Sequence, residues 1–335
     1  MKNCLAILAA LCVLVWPVAA QAPGSRADQS RKIEIRAQAI ETFDPREPTR
    51  TQFGSLTFRG GLVLTSSAKE FGGLSSLKMD ADGARFLVVS DRGTWLRGRI
   101  VYRGTTPIAI ADAETAPILG ADGKPTRSRR GWFDSESLAG DGTMLFVGFE
   151  RVHEILRFDA KDGLRARGVP IPVPPLMKTL PANQGIECLA VPSKGQPLAG
   201  TLIAISERGL DPAGNIIGFL LNPPAGTFTV KRTDDFDISD CIITPKGDLL
   251  ILERRFSWVR GLAIRIRKLA LSGVKAGALL EGPDVFVADM GQQIDNMEGI
   301  SIHRAADGAM VLTLISDDNF SPLQRTILLQ FALND

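Results

Sequence analysis

Histidine is scarce in this chain of 335 residues, with His153 and His303 the only two. Two histidines exclude the three-histidine ligand sets found at many zinc sites. A single histidine on a hairpin is usually a surface residue, so we expect both at the surface. Aromatic side chains make up only 6% of the chain, with Tyr102 as the sole tyrosine. This scarcity argues against a site that stacks on sugars or bases.

Neither sign of charge is in excess, since 39 Lys and Arg residues stand against 37 Asp and Glu residues. The two signs are mixed along the chain, without the basic stripe that is typical of nucleic-acid-binding proteins. We therefore expect no nucleic-acid partner. The 44% hydrophobic content, with 33 Gly and 20 Pro, is ordinary for a globular protein.

Long apolar runs are also lacking, and the only notable one lies at the N-terminus. Lys2 precedes an apolar run over 5–15, which small residues follow up to Ala22. This order is typical of a secretory signal peptide, and the run is too short to span a bilayer. We predict a signal peptide over 1–20, cut after Ala20, and no membrane span in the mature chain. A periplasmic or secreted location follows from this, and we expect a monomer.

Five segments of the chain repeat one pattern: a short apolar strand, a tight turn, a second apolar strand and an acidic residue. They are FGGLSSLKMDADGARFLVVSDRG from Phe71, FDSESLAGDGTMLFVGFER from Phe133, NQGIECLAVPSKGQPLAGTLIAISERG from Asn183, FDISDCIITPKGDLLILERR from Phe236 and NMEGISIHRAADGAMVLTLISDD from Asn296. Asp-Gly or Lys-Gly stands at each turn, which is typical of a two-residue β-hairpin. The spacing of the repeats fits blades of a β-propeller. Phe71, Phe133 and Phe236, at matching positions, are expected in the core.

We therefore predict an all-β protein, with residues 31–335 forming a single β-propeller of four-stranded blades. Five blades follow from the repeats, and a sixth, built from 31–66, stays open as an alternative. Only three strands fit between Glu298 and the end of the chain. Because an open edge strand is a liability, we expect the segment 55–64 to supply the fourth strand of the last blade.

Acidic residues recur at two positions of the repeat. The first column begins strand one and contains Ser75, Glu136, Glu187, Asp240 and Glu298. The second column ends strand two and contains Asp91, Glu150, Glu207, Glu253 and Asp317. In an antiparallel hairpin these two places are adjacent, so both columns are predicted at one mouth of the central channel. So many like charges repel one another unless cations compensate them.

Two kinds of compensation are open. Arginine follows the second-column acid in four repeats, which fits a structural lattice that joins neighbouring blades. The last repeat instead has Asp317-Asp318-Asn319, and such oxygen-bearing side chains suit Ca²⁺. The predicted Ca²⁺ ligands are Glu187, Glu298, Asp317 and Asp318. Arg92, Arg208 and Arg254 are the predicted anion-binding residues, and together with Glu207 they are the catalytic candidates.

Cys4 and Cys12 lie in the predicted signal peptide, which leaves Cys188 and Cys241 in the mature chain. An oxidising compartment favours disulfides. However, both cysteines follow first-column acids in consecutive repeats. Equivalent residues of neighbouring blades point the same way round the ring, so we expect two buried free thiols.

At these repeats the chain resembles the phytase-like family, described as "esterase-like activity of phytase". The resemblance rests on FGGLSSL with VVSDRG, the segment around Glu136, NQGIECLA with ISERG, LLILERRF, and NMEGISI with LISDDNFSPLQRTILL, and it covers nearly all of the mature chain. It implies a β-propeller, an exported bacterial protein and a hydrolase related to calcium-dependent propeller phytases. The matching residues are Asp91, Arg92, Glu136, Glu187, Glu207, Arg208, Glu253, Arg254, Glu298, Asp317, Asp318, Asn319 and Arg325.

Two functions remain open from the sequence. The first is metal-assisted hydrolysis of a small anionic substrate, a phosphate or carboxylic ester, at the channel mouth. A serine-esterase mechanism fits poorly, because no Gly-x-Ser-x-Gly motif is present. The alternative is a non-catalytic propeller that binds a ligand or a partner protein at the same mouth, since propellers of both kinds exist.

Overall fold

The computed structural model describes residues 30–334, and the predicted signal peptide lies outside them. The N-terminal strands are β1 (Arg31–Lys32), β2 (Arg36–Ile40), β3 (Gln52–Phe53) and β4 (Leu56–Thr65). The first two repeats contain β5 (Leu74–Met79), β6 (Arg85–Ser90), β7 (Thr94–Arg103), β8 (Thr106–Pro117), β9 (Leu119–Gly120), β10 (Ser135–Gly140), β11 (Met144–Phe149), β12 (Glu154–Asp159) and β13 (Arg167–Pro170). The third contains β14 (Ile186–Ala190), β15 (Ile203–Leu210), β16 (Ile216–Leu220) and β17 (Gly226–Val230).

The remaining strands are β18 (Asp237–Ile243), β19 (Asp248–Ser257), β20 (Gly261–Ala270), β21 (Leu279–Leu280), β22 (Asp284–Asp289), β23 (Asn296–Arg304), β24 (Met310–Asp317) and β25 (Thr326–Leu333). Helix is limited to short 3₁₀ turns at Thr126–Ser128, Ala160–Arg165, Met177–Thr179 and Leu271–Gly273. No helix within 30–334 is long and apolar enough to cross a membrane.

The strands form five sheets, which confirms the five-bladed propeller. Blade 1 has the order β5-β6-β7-β8-β1, blade 2 β10-β11-β12-β13-β9, blade 3 β14-β15-β16-β17-β21, blade 4 β18-β19-β20-β22, and blade 5 β23-β24-β25-β4-β2. The first strand of each blade packs against the first strands of its two neighbours, and β23 packs against β5 to close the ring. These five inner strands therefore line the central channel.

The closing contact is the one predicted from the sequence. β4 pairs antiparallel with β25 from Thr326↔Leu64 to Leu333↔Leu56, and β2 then covers the outer edge of β4. Blade 5 thus combines the two ends of the described chain. No residues are left for a sixth blade, because 31–66 serve blades 1 and 5.

The hydrophobic core consists of five clusters, each between two neighbouring blades. The cluster between blades 4 and 5, for example, contains Phe43, Leu252, Phe286 and Phe331, all buried. Alternating apolar residues on the strands supply both faces of each blade, as expected for a sheet that is buried on both sides. Phe71 and Phe236 are buried as predicted, whereas Phe133 is 37% exposed, with the Arg151 guanidinium 5.3 Å from its ring centre.

The histidines are not at the surface, so that expectation is wrong. His303, only 4% exposed, packs against Gly83 in the hairpin turn of the neighbouring blade, where a Cβ on Gly83 would lie 2.1 Å from the imidazole. Gly83 also has a φ of 73°, as the predicted turn requires. His153 is 7% exposed beside Gly185. Burial lowers the pKa of both histidines.

A β-bulge near the start of each inner strand determines where the acidic side chains lie. In all five blades one inner-strand residue is left without a partner in the register between the inner strand and the next. The five bulge residues are Ser75, Glu136, Glu187, Ser239 and Glu298. Such a bulge turns its extra residue out of the strand's normal alternation.

The bulge in blade 4 also corrects the prediction of free thiols, because Cys188 and Cys241 form a disulfide. Cys188 is the first residue after its bulge, whereas Cys241 is the second residue after the bulge at Ser239. The two cysteines are therefore not equivalent, and side chains one position apart point to opposite faces of a strand. They meet between blades 3 and 4 with a Cα–Cα distance of 5.2 Å.

Candidate active site at the channel mouth

The candidate site is a group of buried carboxylates at the end of the channel where the bulges lie. Glu136, Glu187 and Glu298 occupy the bulges of blades 2, 3 and 5. Burial raises the pKa of Glu187 well above its usual range, and repulsion by Glu136 and Glu298 raises it further. The pKa of Glu136 is also raised well above its usual range, first by burial and then by repulsion from Asp134 and Glu150. Burial raises the pKa of Glu298 to about 8. Three blades thus place acids within electrostatic range of one another.

Blade 4 departs from the predicted acid columns by one residue. Because its bulge is Ser239, the position equivalent to the other second-column acids is Arg254 rather than Glu253. The five equivalent positions at the mouth are Asp91, Glu150, Glu207, Arg254 and Asp317. The mouth therefore has a ring of four acids and one arginine.

Arg254 joins three blades at this ring. Its guanidinium donates to Glu207 Oε1 and to Asn296 Oδ1, both at 3.2 Å. Its Nε lies 3.1 Å from Glu298 Oε1, in an ion pair without hydrogen-bond alignment. Burial lowers the pKa of Arg254, but Glu298 and Glu207 outweigh this effect and raise it overall. Arg254 therefore stays charged and compensates one side of the mouth.

The other side of the mouth has two groups of carboxylates that are close enough to share a cation. Asp134, Glu136 and Glu150 form one group, and Glu150, Glu187 and Glu207 form the other, with the donor oxygens of each group within 4.8 Å of one another. Burial raises the pKa of Glu150 to about 7, although its Oε1 accepts a 3.0 Å hydrogen bond from the Gly185 N–H. Clustered carboxylate oxygens are the donors that hard divalent cations prefer.

An unsatisfied atom supports the fit of a cation to this mouth. Glu298 is 6% exposed, and its Oε2 has no hydrogen-bond partner among the residues that the structure describes. A buried acceptor without a partner is costly, and a water molecule or an ion commonly satisfies such a group. The two carboxylate groups fit a divalent cation, and Glu298, which Arg254 contacts through its other oxygen, keeps one oxygen free at the same mouth.

Asp317 and Asp318 lie beside this region but bind the backbone. Asp317 accepts a 2.7 Å hydrogen bond from the Asn319 N–H, and the pKa of Asp317 is raised by burial to about 6. Asp318 Oδ1 accepts from the Gly73 and Phe320 N–H groups, and its Oδ2 accepts from Thr326 Oγ1. Within 30–334, neither residue belongs to a carboxylate group that is close enough to share an ion. These contacts attach the 318–326 loop to blade 1.

Two further predicted mouth residues lie elsewhere because of the blade 4 register. Glu253 is fully buried away from the ring, where Arg265 and Arg267 both hold its carboxylate, with Nε–Oε2 distances of 2.9 and 2.7 Å. Asp240 lies inside the channel and accepts from Ser76 Oγ at 3.1 Å and from the Ile300 N–H at 2.8 Å. Burial raises the pKa of Asp240 well above its usual range.

The arginines form only part of the predicted lattice. Arg208 reaches Asp237 of the next blade at 3.3 Å and Arg254 joins blades 3, 4 and 5, but Arg151 pairs with Asp134 of its own blade. The guanidinium of Arg92 lies 3.1 Å from the ring centre of Phe320. Asp91, the neighbour of Arg92, has a pKa raised to about 7, first by burial and then by Asp317.

Sequence reasoning missed Asp134, which lies two residues before the bulge of blade 2. Asp237 and Asn296 stand at the same place in blades 4 and 5. The repeats FDSES, FDISD and NMEGI share this Asp or Asn, so a signal was present in the sequence. This signal can be recognised only when the repeats are aligned on their bulge residues rather than on their acidic residues.

Comparison with known proteins identifies the family. The family described as "Phytase-like: Esterase-like activity of phytase" matches residues 69–320. No curated protein matches the chain in sequence. Among solved structures, glutaminyl cyclase of Myxococcus xanthus is 12% identical, with a TM-score of 0.41, over 79% of this chain and 92% of that one. A nidogen/laminin complex (11%, TM-score 0.39, 78% and 87%) and an endo-arabinase of Bacteroides thetaiotaomicron (12%, TM-score 0.48, 78% and 95%) are also similar.

Proposed function

Because the chain belongs to the phytase-like family, we propose that it is an exported hydrolase that cleaves a phosphate or carboxylic ester at the channel mouth with the help of Ca²⁺. The observation that carries this proposal is the group of buried carboxylates on blades 2 and 3, of which Arg254 pairs with Glu207 alone. The disulfide between Cys188 and Cys241 supports export, because disulfides persist in oxidising compartments.

The ion would be held by Glu150, Glu187 and Glu207, with Glu136 and Asp134 close enough to contribute. Of the Ca²⁺ ligands predicted from the sequence, Glu187 remains a proposed ligand. Glu298 is not included, because it pairs with Arg254. When bound, Ca²⁺ would polarise the ester oxygen and lower the pKa of a coordinated water molecule.

The chain's own residues would bind and orient the substrate. Arg208 is 41% exposed at the mouth, and its planar guanidinium suits an anionic oxygen. Arg92 is the second candidate for this role. Glu207, fixed by Arg254, is our candidate for accepting a proton from water, because its carboxylate lies beside the proposed ion. Arg254 would act as a positioning residue that keeps this carboxylate in place.

A substrate screen tests the proposal. The purified protein is assayed on 4-nitrophenyl phosphate, bis(4-nitrophenyl) phosphate and 4-nitrophenyl butyrate, each with 2 mM CaCl₂ (about the millimolar range that weak Ca²⁺ sites need) and with EDTA. We expect turnover of at least one substrate that EDTA abolishes and CaCl₂ restores. Glu187→Gln should reduce it strongly, whereas Glu41→Gln, at an exposed site, should not. No turnover across the panel, with intact Ca²⁺ binding, would favour the non-catalytic propeller.

A further inference from the structure

A cavity separate from the channel mouth lies between blades 1 and 2. It has a volume of about 700 Å³, within the range of small-molecule sites. β6 and β7 of blade 1 form one wall. The other wall contains Leu145 of β11 and the 3₁₀ turn Ala160–Arg165, near the hairpin-turn end of the blades.

The interior of this cleft is apolar. Phe86, Trp95, Leu145 and Leu164 line it, each at most 9% exposed. Trp95 is 1% exposed, and its indole Nε1–H has no acceptor among the described residues.

The rim of the cleft is positively charged. Five cationic side chains line it against three acidic ones: Lys32, Lys78, Arg85, Arg97 and Arg99 against Asp80, Asp112 and Glu114. Arg97 is paired with Glu114 and Arg99 with Asp112. Lys78 spans the two blades, and its Nζ donates to the Gly140 carbonyl at 3.1 Å. An ammonium group has three donors, so Lys78 can also bind an anion.

We propose that this cleft binds a small organic anion with an apolar body, of the alkyl or aryl carboxylate class. The apolar wall takes the hydrocarbon part, and the Lys78 ammonium provides donors for the carboxylate oxygens. The excess positive charge at the rim selects against neutral and cationic molecules of the same shape. This site is independent of the hydrolase proposed at the mouth.

Calorimetry with three eight-carbon probes tests the proposal: octanoate, octanol and octylammonium, each titrated into the purified protein in EDTA. We expect octanoate to bind at one site per chain, at least tenfold more tightly than either of the other two. Lys78→Met should weaken octanoate at least tenfold and leave octanol unchanged. Equal binding of octanoate and octanol, or no binding of octanoate, would overturn the proposal.

Two substitutions locate the site. Ala160→Phe, at a partly exposed position of the cleft wall, should abolish octanoate binding by filling the cleft. Ala306→Phe, in the exposed hairpin turn of blade 5, is the matched control and should bind as the parent does. Glu187→Gln should also bind octanoate normally, which separates this cleft from the mouth. Binding that persists in Ala160→Phe and is lost in Glu187→Gln would assign octanoate to the mouth and refute the proposal.

Discussion

At the scale of single residues, the charge balance of the mouth depends on Arg254. It is the cation in a ring whose other members are Asp91, Glu150, Glu207 and Asp317. It compensates Glu207 of blade 3 and Glu298 of blade 5, whereas Glu150 and Glu187 form no ion pair among the described residues. A cation beside Glu150 and Glu187 would compensate them.

Replacing Arg254 with methionine should destabilise the protein strongly. Glu207 and Glu298 would be left buried without their cation, and breaking a buried ion pair from one side costs about 3–5 kcal/mol. Arg208→Met is the control, because a partly exposed ion pair is worth about 0–1 kcal/mol. Urea unfolding of both variants measures the difference. Equal losses in the two variants would contradict this role of Arg254.

Replacing Glu187 with glutamine should have opposite effects with and without Ca²⁺. In EDTA the substitution removes a repelled carboxylate and should raise the melting temperature, because repulsion and burial both oppose its ionisation. In CaCl₂ the variant should gain less stability than the parent, since it has lost a ligand. Glu41→Gln should follow the parent in both buffers. A variant that melts below the parent in EDTA would count against an uncompensated cluster.

At the scale of elements, the disulfide between Cys188 and Cys241 ties blade 3 to blade 4. The two residues are 53 apart in sequence, and a loop of that length corresponds to about 4 kcal/mol in the chain-entropy account. The Cys188→Ala/Cys241→Ala variant should therefore melt lower than the parent. Thiol labelling of the denatured, unreduced mature protein should detect no reactive cysteine, and two after reduction. Two reactive thiols without reductant would refute the bond.

The N-terminal strands should be needed for a closed ring. β4 pairs along the whole of β25 and β2 covers β4, so deleting residues 30–66 would expose β25 as an open edge. We expect the truncated chain to aggregate, because exposed edges pair with other chains. Deletion of 30–34, which contains only β1 of these strands, is the control. Light scattering measures the outcome, and a soluble, stable truncated protein would contradict this explanation of closure.

The blades could be predicted from the sequence because the patterns that mark them are local. Gly83 and its counterparts mark the hairpins, and apolar alternation marks the strands, so the blade number and the β4–β25 closure are confirmed. The blade 4 register was not predictable in the same way. In FDISD either Ser239 or Asp240 can take the bulge, and only the register with β19 shows that it is Ser239. That single step moved Glu253 out of the mouth, brought Arg254 into it and made the Cys188–Cys241 bond feasible.

At the scale of the whole molecule, a compact propeller concentrates its carboxylates at one end, and this should give the metal-free protein an unusual pH dependence. The pKa values of Glu150 and Glu298 are raised to about 7 and about 8, against about 4.3 in an unfolded chain. The folded state therefore binds protons more tightly than the unfolded state. The contribution of these two carboxylates to stability is full below about pH 4.3 and is lost as the pH rises through their folded-state pKa values.

The window between pH 6.5 and 8.5 isolates this effect. The pKa values of His153 and His303 are lowered by burial, so their opposite contribution is already about half complete at pH 6.5, the unperturbed pKa of histidine, and it adds only a small rise in stability above that pH. Asp44, whose pKa is lowered by Arg46, is ionised throughout the window and adds no slope. In EDTA the melting temperature should fall from pH 6.5 to 8.5, and Glu150→Gln should reduce that fall. A bound cation favours the ionised carboxylates. Stabilisation by 2 mM CaCl₂ should therefore be larger at pH 8.5 than at pH 6.5. At a hundredfold excess of Ca²⁺ over Kd, this stabilisation is worth about 2.7 kcal/mol. A melting temperature that rises across this window in EDTA would mean that the mouth carboxylates are already compensated by the chain itself.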